Sequence, residues 1–232
     1  MYKGGFPTFS IEKPMSVPWK SKVLMDTQMS DKYMAELKLN EHRGFLCIDE
    51  SGKASFHSHR GPSTNSPING LALEYVESLN LPKSSIFDAG HFSRKEFSNE
   101  SRIWLMDILL IDGQKVRLPH AERVKLRDQL FKQSKYVWIP LSTTNFLIEF
   151  QNMLKGSSPL IRQASEVYAI PYEILVKEIE GLVIKMNSGL HSFPVNKKEV
   201  PEFLKLKIVD VFDKSKDWVS DGDNKLVAFR KS

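Results

Sequence analysis

Polar residues take every second place from Ala35 to Leu39, a polar turn follows, and the apolar run Phe45-Leu46-Cys47-Ile48 ends at Asp49. The two-residue period predicts a strand over 33–39 with one buried face, and the short apolar run bounded by turns predicts another. Glu50-Ser51-Gly52-Lys53 has the chemistry of a turn, and Ala54 to Ser58 reads as the returning strand. Gly61 to Pro67 is loop-like, being built from Gly, Pro, Ser, Thr and Asn. The spacing of Leu71, Tyr75 and Leu79 predicts a helix over 69–79 with those residues on its inner face. Ile86 to Phe92 and Ile103 to Ile111 read as strands. Residues 120–133 read as a helix with Val124, Leu126 and Leu130 inward, and Tyr136 to Ile139 as a short strand. Helices are expected over 145–154 and 160–167, and strands over 181–186, 203–212 and 226–229. Residues 1–22, with their prolines and weak periodicity, read as an extended arm. With no repeat and no low-complexity linker, 23–232 is expected to be one mixed α/β (α+β) domain.

Composition narrows the class without naming it. At 232 residues, 41% hydrophobic and 26% charged, the chain can bury a sizeable core. The formal charge is +5, from 33 Lys and Arg against 28 Asp and Glu. That balance suits a polyanionic partner, and suits a mildly basic protein without one equally well. Cys47 is the single cysteine, which excludes an internal disulfide and a cysteine-rich zinc module and fits a reducing, cytoplasmic setting. The longest apolar stretch, interrupted by Asp107, falls far short of the ~20 residues a membrane helix needs. No secretory signal is expected from an N-terminus carrying Gly4, Pro7, Pro14 and Pro18.

Candidate chemistry begins at Lys38, in the stretch Glu36 to Gly44. Two later stretches answer it: Glu180-Gly181-Leu182-Val183-Ile184-Lys185 and Lys205-Leu206-Lys207. Lys205 and Lys207 share one face of a strand by their spacing. If that face meets Lys38, the neighbouring cations disfavour its ammonium form and free the amine for attack. The competing reading makes Lys205-Leu206-Lys207 the solvated side of an edge strand, where charge is common. His57 and His59 share a strand face, but no third ligand follows at a metal-binding spacing.

In this order, these stretches resemble the motifs of the covalent nucleotidyltransferases, the superfamily of polynucleotide ligases and mRNA-capping enzymes. Lys38-Leu39-Asn40-Glu41-His42-Arg43 is similar to the family's first motif, Lys-x-(Asp/Asn)-Gly-x-Arg. Ser58-His59-Arg60-Gly61 follows where ligases carry a Ser-Arg or Arg-x-Gly element. Ile103 to Gly113 resembles the third motif, with Asp107 at its aspartate, Glu180 to Lys185 the fourth, and Lys205 to Lys207 the fifth. The stretch from Glu36 to Arg60 is most similar to the small bacteriophage ATP-dependent ligases. The likeness covers roughly 33–207.

The resemblance implies a fold, a reaction and a set of roles. The fold would be a nucleotidyltransferase (ATP-grasp-like ligase) domain of antiparallel sheets flanked by helices. Only 25 residues follow Lys207, so the C-terminal barrel usual in ligases is not expected. Lys38 would form a covalent lysyl-AMP from ATP, and Arg43 would hold the ribose or phosphate of the nucleotide. Arg60 would meet a phosphate or the nucleic-acid 5′ end, and Glu36 would sit at the adenine edge. Lys205 and Lys207 would clamp the α-phosphate. Glu180 would hold Mg²⁺ or Mn²⁺, and the second metal carboxylate is assigned to Asp88, with His91 or Glu96 the poorer choices.

Three departures stand out. Glu41 replaces the first-motif glycine, and Met106 replaces the aromatic residue before Asp107, with Trp104 as the substitute stacking partner. Phe87-Asp88-Ala89-Gly90-His91 stands where Asp-Gly-Glu is usual. Strict alternation sets Lys185 opposite Glu180, so Lys185 receives no role. The implied activity is an ATP-dependent ligase joining a 5′-phosphate to a 3′-hydroxyl, RNA slightly ahead of DNA, acting on nucleic-acid ends as a monomer away from membranes. The alternatives are a capping-type guanylyltransferase and a nucleic-acid-binding module with decayed motifs.

Overall fold

The computed structural model describes residues 14–17, 19, 21–58, 70–92, 101–190 and 203–208. In chain order their elements are β1 (Met15–Ser16), α1 (Lys22–Met29), β2 (Tyr33–Leu39), β3 (His42–Ile48), β4 (Ala54–Ser58) and α2 (Gly70–Ser78). Then come β5 (Ser85–Phe92), β6 (Arg102–Ile111), β7 (Gln114–Lys115), α3 (His120–Leu130), β8 (Val137–Trp138) and β9 (Ser142–Thr143). The last are α4 (Phe146–Leu154), α5 (Pro159–Val167), α6 (Tyr172–Glu178), β10 (Ile179–Met186) and β11 (Phe203–Lys207).

The described residues divide into two units where the sequence suggests one domain from residue 23. Glu41–Ile139 forms the first, and the described parts of Lys13–Asn40 and Pro140–Ser232 form the second. The second unit holds a five-stranded sheet in the order β1-β11-β10-β2-β9. Its β10 is antiparallel to both β2 and β11. Ala35, Leu37, Leu39, Leu182, Ile184, Leu204 and Leu206 are all buried on these three central strands. Helix α4 lies against β10 and packs in turn on α1 and α5. Ser158 caps α5, accepting the Ile161 amide at 3.0 Å while donating to Glu149. The strand at Met15–Ser16 adds to β11, so that part of the expected arm is sheet.

The first unit holds a six-stranded sheet, β4-β3-β5-β6-β7, with β8 parallel to β6. The predicted hairpin from Phe45 through Ser58 is present, with Cys47 opposite Ser55. The strand 33–39 does not pair with the strand that follows its turn. β2 ladders with β10 and β9, whereas β3 ladders with β4 and β5. The turn between them crosses from one unit to the other, its Asn40 amide donating to Glu178 at 2.8 Å. Leu46, Ile48, Phe87, Ala89, Ile103, Leu105 and Ile108 form the sheet's share of one core, closed by Ala72 and Val76 from α2 and by Phe131. A smaller cluster gathers Phe45, Ile86, Leu109 and Leu110, with Cys47 against it. Burial there pushes the Cys47 thiol up to about 12.

Two helix faces differ from expectation. Leu71 is exposed, and α2 turns Ala72 and Val76 inward. The fully buried residues of α3 are His120, Arg123 and Arg127, and Leu126 and Leu130 are only partly covered. The reason is ionic pairing, described below.

The glutamate at position 41 and the glycine at position 90 explain one another. β3 and β5 pair His42 with His91 and Arg43 with Gly90. A Cβ at position 90 would collide with the Glu41 side chain. Gly90 thus leaves the room that the Glu41 stem fills. Gly90→Ala is expected to destabilise the protein by about 1–3 kcal/mol, the usual cost of overpacking. Glu41→Gly combined with Gly90→Ala should recover most of that loss in urea melts. Equal midpoints for the single and double variants would refute the coupling.

Candidate active site

Strand register brings the lysines together. Lys38 on β2 is the Cα partner of Gly181 on β10, and Gly181 is the partner of Lys207 on β11. One step along, Glu36 is the partner of Val183, and Val183 of Lys205. Directly paired residues share a sheet face, so Glu36, Lys38, Lys205 and Lys207 lie on one side. The leucines 37, 182 and 206 lie on the other, in the core. The strand β11 is flanked by β10 and, at Leu204 and Lys205, by β1, which removes the edge-strand reading of Lys205.

Glu180 reaches this face through a bulge. Ile179 pairs with Leu39 and Gly181 with Lys38, so β10 spends one more residue than β2 over this step. The extra residue is Glu180. A bulge of this kind suspends strict alternation and re-aims a side chain. Gly181 makes it possible: its φ is +144°, and a Cβ there would collide with the Leu206 carbonyl. The Glu180 carboxylate then lies between two cations, its Oε2 at 2.6 Å from Lys38 Nζ and 3.1 Å from Lys207 Nζ. Burial opposes its ionisation, but hydrogen bonds and charge from Lys38 and then Lys207 outweigh that effect. Its pKa is held below the ordinary carboxylate value.

The same bulge returns Lys185 to the site. Its ammonium lies 2.6 Å from Glu36 Oε2, with both side chains almost fully buried, and 5.5 Å from the centre of the Phe203 ring. Lys185 therefore shares the face of Lys38, and Glu180 reaches that face through the bulge although strict alternation sets the two on opposite sides. The alternation rule failed because one glycine hid an extra residue; an isolated glycine inside a strand was the available signal. The Glu36 carboxylate, expected at an adenine edge, is engaged by Lys185.

Arg43 and Asp88 sit in the other unit and face each other. Arg43 donates through Nε at 3.0 Å and Nη2 at 2.6 Å to the two oxygens of Asp88. Burial would lower the Arg43 pKa, but Asp88 above all, with Glu41 and Asp107, raises it. Both Asp88 oxygens are thus taken by an arginine, which does not suit the metal ligand expected there. His91 is buried and hydrogen-bonds Ser101 at 3.1 Å. Asp107, the Cα partner of Asp88, is held by Arg123 at 2.8 and 3.1 Å. Trp104, proposed for stacking on a purine, is 1% exposed and belongs to the core. Arg60, His59 and Glu96 lie outside the described residues. Among the described residues no group of three His, Cys, Asp or Glu could hold a metal ion. No helix among them is long and apolar enough to cross a membrane.

Divalent metal, which the resemblance implies, fits one of the two assigned carboxylates. Glu180 is ionised at neutral pH and partly exposed, as a ligand for Mg²⁺ should be when substrate phosphates complete the shell.

No protein-family model and no curated protein matches the chain. Solved structures do. The structure described as Pmar-Lig_Pre aligns at 15% identity and a TM-score of 0.57, over 86% of this chain and 46% of its own. Pmar-Lig_PreS3 aligns at 15% and 0.53, over 87% and 47%. The ATP-dependent DNA ligase of bacteriophage T7, in complex with ATP, aligns at 15% and 0.51, over 84% and 67%. The chain spans about half the length of the first two. At this identity the likeness establishes the fold alone, which this chain shares with these structures, the bacteriophage T7 DNA ligase among them.

Two outcomes test the bulge. Gly181→Ala should displace β10 from β11 and separate Glu180 from Lys38 and Lys207, seen as loss of protection of the β10 amides in hydrogen exchange. Glu180→Gln should lower stability at pH 7. Because the folded pKa of Glu180 is depressed, its contribution is full above the unfolded value and is lost as pH falls through the folded one. Unfolding midpoints of wild type and Glu180→Gln should therefore differ at pH 7 and converge as the pH falls through the folded pKa. A constant gap would assign the effect to packing.

Proposed function

We propose that this protein is an ATP-dependent polynucleotide ligase that works through a covalent lysyl-AMP. The observation that carries the reading is the Lys38–Glu180–Lys207 cluster on one sheet face, beside Lys205 and Glu36, within a ligase-type fold. Lys38 is the nucleophile. Its amine, once deprotonated, attacks the α-phosphorus of ATP; the bond to the pyrophosphate oxygen breaks, and pyrophosphate carries the electron pair away. Lys205 and Lys207 neutralise the charge that builds on the α-phosphate, where preorganised donors contribute most. The AMP then passes to a 5′-phosphate, and a 3′-hydroxyl displaces it to close the phosphodiester.

Glu180 has two parts. In the free protein it holds Lys38 and Lys207 in register. A Mg²⁺ or Mn²⁺ ion held by Glu180 and substrate phosphates would supply further stabilisation of the phosphate charge. Arg43, fixed in a planar fork, supplies the geometry that matches phosphate or ribose oxygens. Asp88 is read as the partner that orients Arg43.

The direct test incubates the protein with α-labelled ATP or GTP and divalent metal and looks for label on the denatured chain. Label from ATP is expected; label from GTP alone would favour a capping-type guanylyltransferase, and no label the binding-module alternative. Lys38→Ala should abolish labelling yet retain sealing of a pre-adenylylated strand, measured with RNA and DNA ends side by side. Undiminished labelling of Lys38→Ala would move the nucleophile elsewhere. Lys205→Ala with Lys207→Ala should slow labelling by roughly 100- to 1000-fold, as loss of a transition-state donor does. The double variant should melt within a few degrees of wild type, since neither lysine is buried in the core.

A further inference from the structure

We infer that Arg123 is a positioning residue for Arg43 and acts by neutralising Asp107. The inference rests on the reading of Arg43 as a group that meets nucleotide or nucleic-acid oxygens. Asp88 and Asp107 are Cα partners on β5 and β6, and both are almost completely buried. Directly opposed residues place their Cβ atoms ~4.5–5.5 Å apart. Two ionised carboxylates at that spacing in a dry interior repel each other, and both can stay charged only if each has its own cation.

The structure supplies one arginine to each. Arg43 forks onto Asp88 through Nε and Nη2. Arg123 forks onto Asp107 through Nε at 2.8 Å and Nη2 at 3.1 Å, while its Nη1 donates to the Leu118 carbonyl at 2.6 Å. Asp107 also accepts the Ile108 amide at 2.8 Å, and His120 Nδ1 stands 3.7 Å from its second oxygen. Arg127, buried on the same helix, is directed to Asp128 and the Met106 carbonyl. This division of partners accounts for the polar inner face of α3, which an apolar packing face would not produce.

The two pairs are coupled because Arg43 also lies in the field of Asp107, and of Glu41. With Arg123 present, Asp107 has its own counter-ion, and Arg43 stays square on Asp88 with Nη1 in a fixed direction. Without it, the charge of Asp107 draws Arg43 more strongly, and the guanidinium rotates off Asp88 toward a position between the two carboxylates. The consequence falls on what Arg43 presents to a ligand.

The test compares Arg123→Met, Arg123→Lys and the double variant Asp107→Asn/Arg123→Met in the full chain. Solvent exchange of the Arg43 Nε–H proton is followed by NMR, its signal assigned by its loss in Arg43→Lys. The KM for ATP in adduct formation is measured beside it. Arg123→Met is expected to speed exchange and raise KM by about tenfold with a smaller change in kcat, in the range of coupling between contacting residues. The double variant, which removes the second carboxylate charge as well, should return both to within about threefold of wild type, as should Arg123→Lys. A double variant as impaired as Arg123→Met, or an Arg123→Met protein like wild type, would overturn the proposal. If Arg123→Met does not fold, tenfold faster exchange in Arg123→Lys would overturn it, and wild-type exchange in that variant would support it. Should wild type form no adduct with ATP, the ligase reading fails, while the Arg43 exchange rates still decide the coupling.

Discussion

The close approach of β10 and β11 at Gly181 is the constraint on which the lysine face depends. A residue with a Cβ there would meet the Leu206 carbonyl, and the strands could not keep their ladder. With strict alternation instead of the bulge, Glu180 would join Leu182 and Ile184 on the apolar face. A carboxylate there would be buried without a counter-ion, at a cost of several kcal/mol. The bulge places it between Lys38 and Lys207, each arriving from a different strand. Three strands are thereby tied at one oxygen atom, and the order β11-β10-β2 is what allows residues far apart in sequence to meet there.

The two units use charge in different ways. On the lysine face, four lysines (38, 185, 205 and 207) accompany two glutamates (36 and 180) among the described residues. Lysine ammonium groups attract phosphates, the more strongly where water is excluded. In the first unit, each of two buried aspartates is matched by an arginine, Asp88 by Arg43 and Asp107 by Arg123. Matched buried pairs add little net stability, yet they restrict the arrangements available to the side chains. One unit thus gathers lysines and glutamates on one sheet face, and the other uses charge to hold a guanidinium still.

Much of the fold could be read from short apolar runs bounded by turns; burial alternates cleanly in β11, whereas β5 is buried along its whole length. The short helix α1, Lys22–Met29, and α6, Tyr172–Glu178, escaped because neither has a long apolar stripe. The inner face of α3 was misread for a related reason: hydropathy ranks Arg123 and Arg127 as outward, and only Asp107, sixteen residues before Arg123, turns one of them in. At the candidate site, Lys38, Glu180 and Lys207 were legible from order and spacing. Lys185 was not, since a bulge shifts every later residue by one and leaves only a glycine as its trace. The Arg43–Asp88 fork spans forty-five residues and depends on the register of β3 against β5, which no local pattern encodes.

The lone thiol has a practical consequence. With its pKa at about 12, Cys47 carries thiolate in only about one molecule in 10⁵ at pH 7. Maleimide and iodoacetamide reagents attack the thiolate, so the native chain is nearly silent toward them. A cysteine introduced on an exposed helix could then carry a fluorophore or spin label without first removing Cys47 from its sheet. Distances between labels on the two units could be followed in solution while the protein keeps every native side chain of its cores.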